Sequence, residues 1–390
     1  MKYFIFSIML FILLFSCGSE PKDDELNNLN RVSKGVVIPV SKLLSLEMSF
    51  NEKSADWEDE FLLALPNAIH VKDNGDILVV DEGMIKVYDK FGKSKKIIGR
   101  QGHGPGEFEG RPRMFLSPTG YLVVISLGSY YYNLFAPDYS FVEKKRFSNS
   151  QPVIKMYALN ESEKVYEVID NIRNENKNYI LIFYENNDIV IPLLQCKNPE
   201  IFEFSSGISS GIYQSRWLGG VYWELLPDRR IIYINTDEDT HDKKTGSKYT
   251  IHIISLDTFE DKKITRQFTP VEFPDKLKKS SEDHPKKVAN FYKDKKYYSS
   301  VHSMKVDQKY VFIETGSNID IYNNVNITEI AVDLFDFETD SFIKQVNYPE
   351  RPFLSGQNNI KNGYLYVFGS DVEGFAEIRK YKINPAVYGK

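Results

Sequence analysis

The chain has 390 residues, long for one domain but within reach of a closed all-β fold. Hydrophobic residues make up 42% and aromatic residues 14% of it, enough for a large core, and that aromatic richness favours strands. A formal net charge of −5 excludes a general nucleic-acid binder, so no nucleic-acid partner is expected.

In chain order, the first feature is an address. Lys2 is the one charge ahead of an apolar run over 3–15, which is too short to span a bilayer but fits the apolar region of a signal peptide. The run ends in Leu14-Phe15-Ser16-Cys17, followed by Gly18. This resembles the bacterial lipobox, in which a small residue precedes a cysteine that is diacylated and becomes the mature N-terminus. The resemblance implies a signal peptide over 1–16 and lipid attachment at Cys17; an ordinary secretory signal with an incidental cysteine is the alternative. Two acyl chains anchor a protein stably, so the membrane is the expected first partner. Residues 17–34 are polar and read as a flexible tether. Within them, Lys22-Asp23-Asp24-Glu25 resembles the acidic surface-export signal of Bacteroidetes lipoproteins, which implies an outer-membrane, cell-surface position. Cys196 is the other cysteine; with Cys17 lipidated no intrachain disulfide forms, and Cys196 reads as a small buried hydrophobe.

From residue 35 to 390 two kinds of hairpin alternate. The first is a strand, a polar turn and an apolar strand, at 68–81, 113–126, 155–170, 222–235, 302–315 and 357–370. Its turns carry residues that tolerate or preset turn dihedrals, such as Asn74-Gly75, Pro118-Thr119-Gly120 and Asn362-Gly363. A second hairpin follows each, at 84–98, 132–147, 179–193, 249–264 and 330–345; the sixth, over 375–385, lacks a return strand. Six units of four short strands predict a six-bladed β-propeller with an incomplete last blade. The apolar segment over 36–40 has no unit of its own and is the expected closing strand. A β-sandwich or paired barrels would also give many short strands, but not six consecutive hairpin pairs.

Between the first two units lies Gly99-Arg100-Gln101-Gly102-His103-Gly104-Pro105-Gly106-Glu107-Phe108, whose glycines and proline exclude a helix or a central strand. It should carry the chain across from blade one to blade two, with Phe108 plugged between the sheets. The stretch 73–81, then 85–92, then 102–108 resembles an NHL-type repeat, and its Gly-Pro-Gly-Glu-Phe ending is similar to that of the six-bladed propeller lipoproteins of Bacteroidetes. The specific match covers about one blade, because Ser126 stands in blade two where Asp81 stands in blade one. The resemblance implies the fold, and one fold hosts many functions.

Two insertions interrupt the rhythm. Residues 236–248 are densely charged; Asp237, Glu238, Asp239 and Asp242 suggest a Ca²⁺ loop, but the EF-hand alternation and central glycine are absent. Residues 270–296 are rich in Lys, with short helices expected at 275–282 and 286–294 between blades four and five. They form either a surface elaboration or an arm over one mouth of the ring.

Metal-site and redox signatures are missing from the sequence: it contains no HExxH or CxxC. The expected function is therefore a non-catalytic binding propeller, monomeric, taking a glycan, peptide or protein at one mouth of the channel, with no cofactor. Candidate mouth residues are His70, His103, Glu107, Arg111, Arg113, Trp223 and His302. The alternative is a lactonase-, lyase- or glycan-hydrolase-like propeller enzyme with Ca²⁺ or Zn²⁺ in the channel, for which His70 and His302 are the nearest to a ligand pair.

Overall fold

The computed structural model describes residues 40–51, 59–126, 130–147, 153–172, 177–187, 189–197, 201–206, 209–214, 219–242, 244–273, 275–279, 293–294, 296–315, 330–348 and 358–388. The expected signal peptide over 1–16, Cys17 and the expected tether over 17–34 lie outside them.

Strand-forming sequence and tight turns give six four-stranded antiparallel blades. Blade one comprises Ala68–Val71, Ile77–Asp81, Met84–Tyr88 and Ser94–Ile98. Blade two comprises Pro112–Leu116, Leu122–Ser126, Tyr131–Phe135 and Phe141–Arg146. Blade three comprises Val153–Ala158, Glu163–Ile172, Lys177–Asn186 and Ile189–Lys197. Blade four comprises Val221–Leu225, Arg230–Asn235, Gly246–Ser255 and Asp261–Phe268. Blade five comprises Val301–Asp307, Tyr310–Thr315, Ile330–Asp336 and Ser341–Tyr348. Blade six takes Asn359–Lys361, Tyr364–Ser370 and Ala376–Ile383 from the C-terminal end, and its fourth strand, Leu44–Phe50, from the N-terminal side.

The ring is thus closed by an N-terminal strand, but not by the segment expected. Val40 opens a short helix, Val40–Leu43, and residues 35–39 lie outside the described set. The closing strand runs from Leu44 opposite Ile383 to Phe50 opposite Ile378. An outermost strand is half exposed, so it reads as polar, and the continuous apolar run just before it was the misleading signal. A bulge between Leu46 and Met48 changes which face the strand presents. Leu44 accordingly packs toward blade five and Phe50 toward blade one.

The core is divided among the blade interfaces. Six clusters of buried side chains lie one between each adjacent pair of blades, from Leu78, Val80, Phe108 and Val124 between one and two to Phe50, Tyr88 and Ile378 between six and one. A strand buried on both faces loses its apolar/polar alternation, as in Ile77-Leu78-Val79-Val80, where all four are fully buried.

The glycine run does what its composition predicts. Gly99 (φ +62) and Gly106 (φ +76) take left-handed backbone, and Phe108 is fully buried between blades one and two. The loop closes on itself: Phe108 N donates to the Arg100 carbonyl at 2.8 Å and Gly104 N to Glu107 Oε2 at 2.7 Å.

The insertions differ from expectation. In 236–248, Thr236–Glu238 forms a 3₁₀ turn and Thr240–Asp242 pairs with the start of the long third strand of blade four. That strand outruns its neighbour, and the excess length recruits the extra partner. In 270–296 a 3₁₀ turn, Asp275–Lys278, replaces the start of the first expected helix, and the second lies almost wholly outside the described residues. Its base is zipped by Phe273 N to the Lys296 carbonyl and Tyr298 N to the Val271 carbonyl, each 2.9 Å. A hairpin of Ile201–Ser206 and Ser209–Gln214, between blades three and four, was not anticipated.

Candidate functional site

The innermost strand of every blade has a hydrogen-bonding edge that faces the axis rather than another strand. Its buried carbonyls need donors. Long polar side chains from one blade supply them to the next. A ring nitrogen of His70 in blade one bonds the backbone of Met114 in blade two. Arg113 donates to the Ile154 carbonyl of blade three at 2.8 Å, Lys155 to the Trp223 carbonyl of blade four, and Lys305 to the Asn358 carbonyl beside blade six. These side chains are spaced along apolar strands, so the ring's own closure brings them to the axis.

Two cavities, of about 530 and 470 Å³, open at the two ends of this axis. Both are lined by Ala68, His70, Tyr157, Glu224 and Lys305, so they are the two mouths of one channel with a shared waist. The larger mouth is formed by the first-hairpin turns, including Asn74, Thr119, Gln308 and Asn362. The smaller is formed by the approaches to the inner strands, including Pro112, Gly219, Gly220 and His302.

The waist is a charged, hydrogen-bonded network. Glu224 accepts from the Tyr157 hydroxyl at 2.7 Å and pairs with Lys155 at 3.0 Å. The Lys155 ammonium also lies 4.6 Å from the Trp223 ring centroid. The Trp223 indole donates to Glu167 at 2.6 Å. Burial pushes the Glu167 carboxyl above the usual carboxylate range, against the lowering effect of that bond and of Lys155. Burial, with help from Glu224, holds the Tyr157 hydroxyl protonated. Burial, reinforced by Lys305 and Lys155, brings the His70 ring down to about 4, so it is neutral at physiological pH.

Beside the smaller mouth, His302 is buried with Nδ1 3.5 Å from Ser299 Oγ. Asp239 reaches from the blade-four insertion to accept from the Ser300 backbone N (2.9 Å) and hydroxyl (2.7 Å). Burial pushes its carboxyl up to about 7 despite those two bonds.

Four of the residues expected at a mouth come together here: His70, Arg113, Trp223 and His302 line the smaller cavity. The other three do not join them. The His103 side chain is 88% exposed, and its carbonyl accepts from Lys144 on the outer strand of blade two. Glu107 caps its own loop, and Arg111 is exposed outside both cavities. Lys155, Glu167, Glu224, Tyr157 and Lys305 were not singled out in the sequence, although each is a polar group in an otherwise apolar strand. Tyr222 lines the smaller cavity, as a contact residue would. Among the described residues no three His, Cys, Asp or Glu side chains are placed to share a metal ion. Cys196 is buried, and burial pushes its thiol up to about 12.

No protein-family model and no curated protein matches the sequence. Among solved structures, a Bacteroides fragilis protein described as exported is similar over 90% of this chain and 98% of its own, at 15% identity and a TM-score of 0.52. A Bacteroides vulgatus protein of the DUF4221 family is similar over 87% and 98%, at 11% identity and a TM-score of 0.47. The Staphylococcus aureus virginiamycin B lyase is similar over 87% and 100%, at 10% identity and a TM-score of 0.38. At such identity the likeness to the first is one of fold alone.

Proposed function

We propose that this chain is a lipid-anchored binding propeller of the cell envelope, displayed on the outer membrane, which takes its ligand in the axial channel without transforming it. One observation carries the reading: two cavities meet at a waist where Lys155, Glu224, Tyr157, Trp223 and Glu167 are already tied together by hydrogen bonds and an ion pair. Such a network suits recognition, because it is held in place before a ligand arrives. The signal and lipobox at 1–17 support the address, and the likeness to a Bacteroides protein described as exported fits it.

The test uses full-length protein in detergent on arrays of glycans and peptides. Wild-type protein is expected to capture a ligand, and Ser303→Trp, which fills the smaller cavity, to lose it. Capture unchanged by that variant refutes a channel site, and turnover of the captured ligand refutes the non-catalytic reading. Labelling with radioactive palmitate, lost in Cys17→Ala, tests the anchor, and protease shaving of intact cells tests display.

A further inference from the structure

The larger mouth is rimmed by five carboxamides: Asn74, Gln308, Asn358, Asn359 and Asn362. A carboxamide presents donors and an acceptor side by side, which matches the paired donor and acceptor character of neighbouring hydroxyls. Asn359 stands in this wall beside Asn358, whose carbonyl holds Lys305.

Below the rim the lining turns cationic. Across rim and waist, Lys72, Arg113, Lys155, Lys305 and Lys361 face the two cavities against Asp73, Glu167 and Glu224; Lys361 pairs with Asp73 and Lys155 with Glu224, which leaves an excess of cations. The whole chain is −5, so the channel carries the opposite sign to the protein around it. A cleft of one sign with low-dielectric walls concentrates ligands of the other. Lys155 and Lys305 are also held in place by backbone carbonyls, so ordering them costs little on binding.

We propose that the channel binds an acidic saccharide, whose hydroxyls meet the amide rim and whose carboxylate lies at the waist near Lys305 and Lys155. This inference rests on the channel being the binding site. A neutral sugar would gain nothing from the cations, and an acidic peptide would offer few hydroxyls to five amides.

The experiment is titration calorimetry of full-length protein in detergent with digalacturonate and diglucuronate, their methyl esters, and a triglutamate peptide. The free acids are expected to bind about tenfold or more tighter than their esters, and to weaken as salt is raised. Lys305→Gln keeps a donor for the Asn358 carbonyl but removes the charge; it should cut affinity for the acids about tenfold and affect the esters far less. Asn359→Ala removes one amide from the cavity wall, so it should weaken acid and ester alike. No binding of either acid, equal affinity for acid and ester, indifference to Lys305→Gln, or preference for triglutamate would each overturn the inference. A ligand of another class, captured by wild type and lost in Ser303→Trp, would overturn it while leaving the channel reading intact.

Discussion

Asp81 closes the second strand of blade one and Lys86 lies in the third, with side chains 0% and 1% exposed and 2.7 Å apart. The carboxylate also accepts from the backbone N–H groups of Ala64 (3.1 Å) and Leu65 (2.7 Å), and the ammonium donates to the Leu62 carbonyl. The Tyr88 hydroxyl holds the Phe61 carbonyl at 2.7 Å. Together these bonds pin residues 59–65 across the end of the blade. Asp81→Ala would leave the buried ammonium with only the half-exposed Glu82, 3.7 Å away, and two N–H groups without the acceptor they have now. Removing one partner of a buried pair costs about 3–5 kcal/mol. Here the segment 59–65 can swing outward and let water in, so the lower end, about 3 kcal/mol, is expected. The double variant Asp81→Leu/Lys86→Met removes both charges at similar volume and should fall within about 2 kcal/mol of wild type, because hydrophobic replacement of a buried pair is often neutral. Urea unfolding followed by circular dichroism gives the cycle, and amide exchange at Ala64 and Leu65 reports the released segment. A loss below about 1 kcal/mol in the single variant, or a double variant that costs the sum of its singles, would refute the assignment.

Asp239, held up to about 7 by burial against an ordinary 3.8, binds its proton more tightly folded than unfolded. Its contribution is therefore full below about pH 4 and is lost as pH rises to about 7, with a ceiling of about 4 kcal/mol and an expected change of about 2 because the group is only partly enclosed. Asp239→Asn should flatten that slope between pH 4 and pH 7 in thermal unfolding; parallel curves would exclude a titrating Asp239. Gly99→Ala should destabilise by about 2–3 kcal/mol, since its Cβ would lie 2.4 Å from the Phe108 ring and 2.6 Å from the Gly106 carbonyl at a left-handed φ; an unchanged urea midpoint would show that the loop can shift. Deleting residues 1–51 removes the closing strand and exposes the edge of Ala376–Ile383, so aggregation on gel filtration is expected, whereas deleting 1–34 should leave a monomer. Cys196 should resist thiol reagents until the protein unfolds, because it is buried and its thiol is held at about 12; rapid labelling of native protein would contradict that.

The ring and its count of blades were legible in the sequence because their causes are local. Alternating hairpins, turn residues such as Asn74-Gly75 and Asn362-Gly363, and the glycine run before Phe108 all act within a few residues of themselves. The closing strand was harder to place, since any half-exposed segment that reaches the free edge of blade six can fill it, and Leu44–Phe50 does so with Leu44 and Phe50 turned to opposite neighbours. Four of the seven expected mouth residues reached the channel, because inner-strand positions point at the axis wherever the blade sits. His103, Glu107 and Arg111 did not, because the direction of a connecting loop depends on what it packs against, here the outer strands of blade two. The sequence alone thus determined the blades, their tight turns and their number; only the tertiary structure decided the closing and extra strands and which polar side chains meet. Lys155, Glu224 and Lys305 are far apart along the chain, and they become neighbours of one cavity only when six sheets close and leave their inner edges in need of donors.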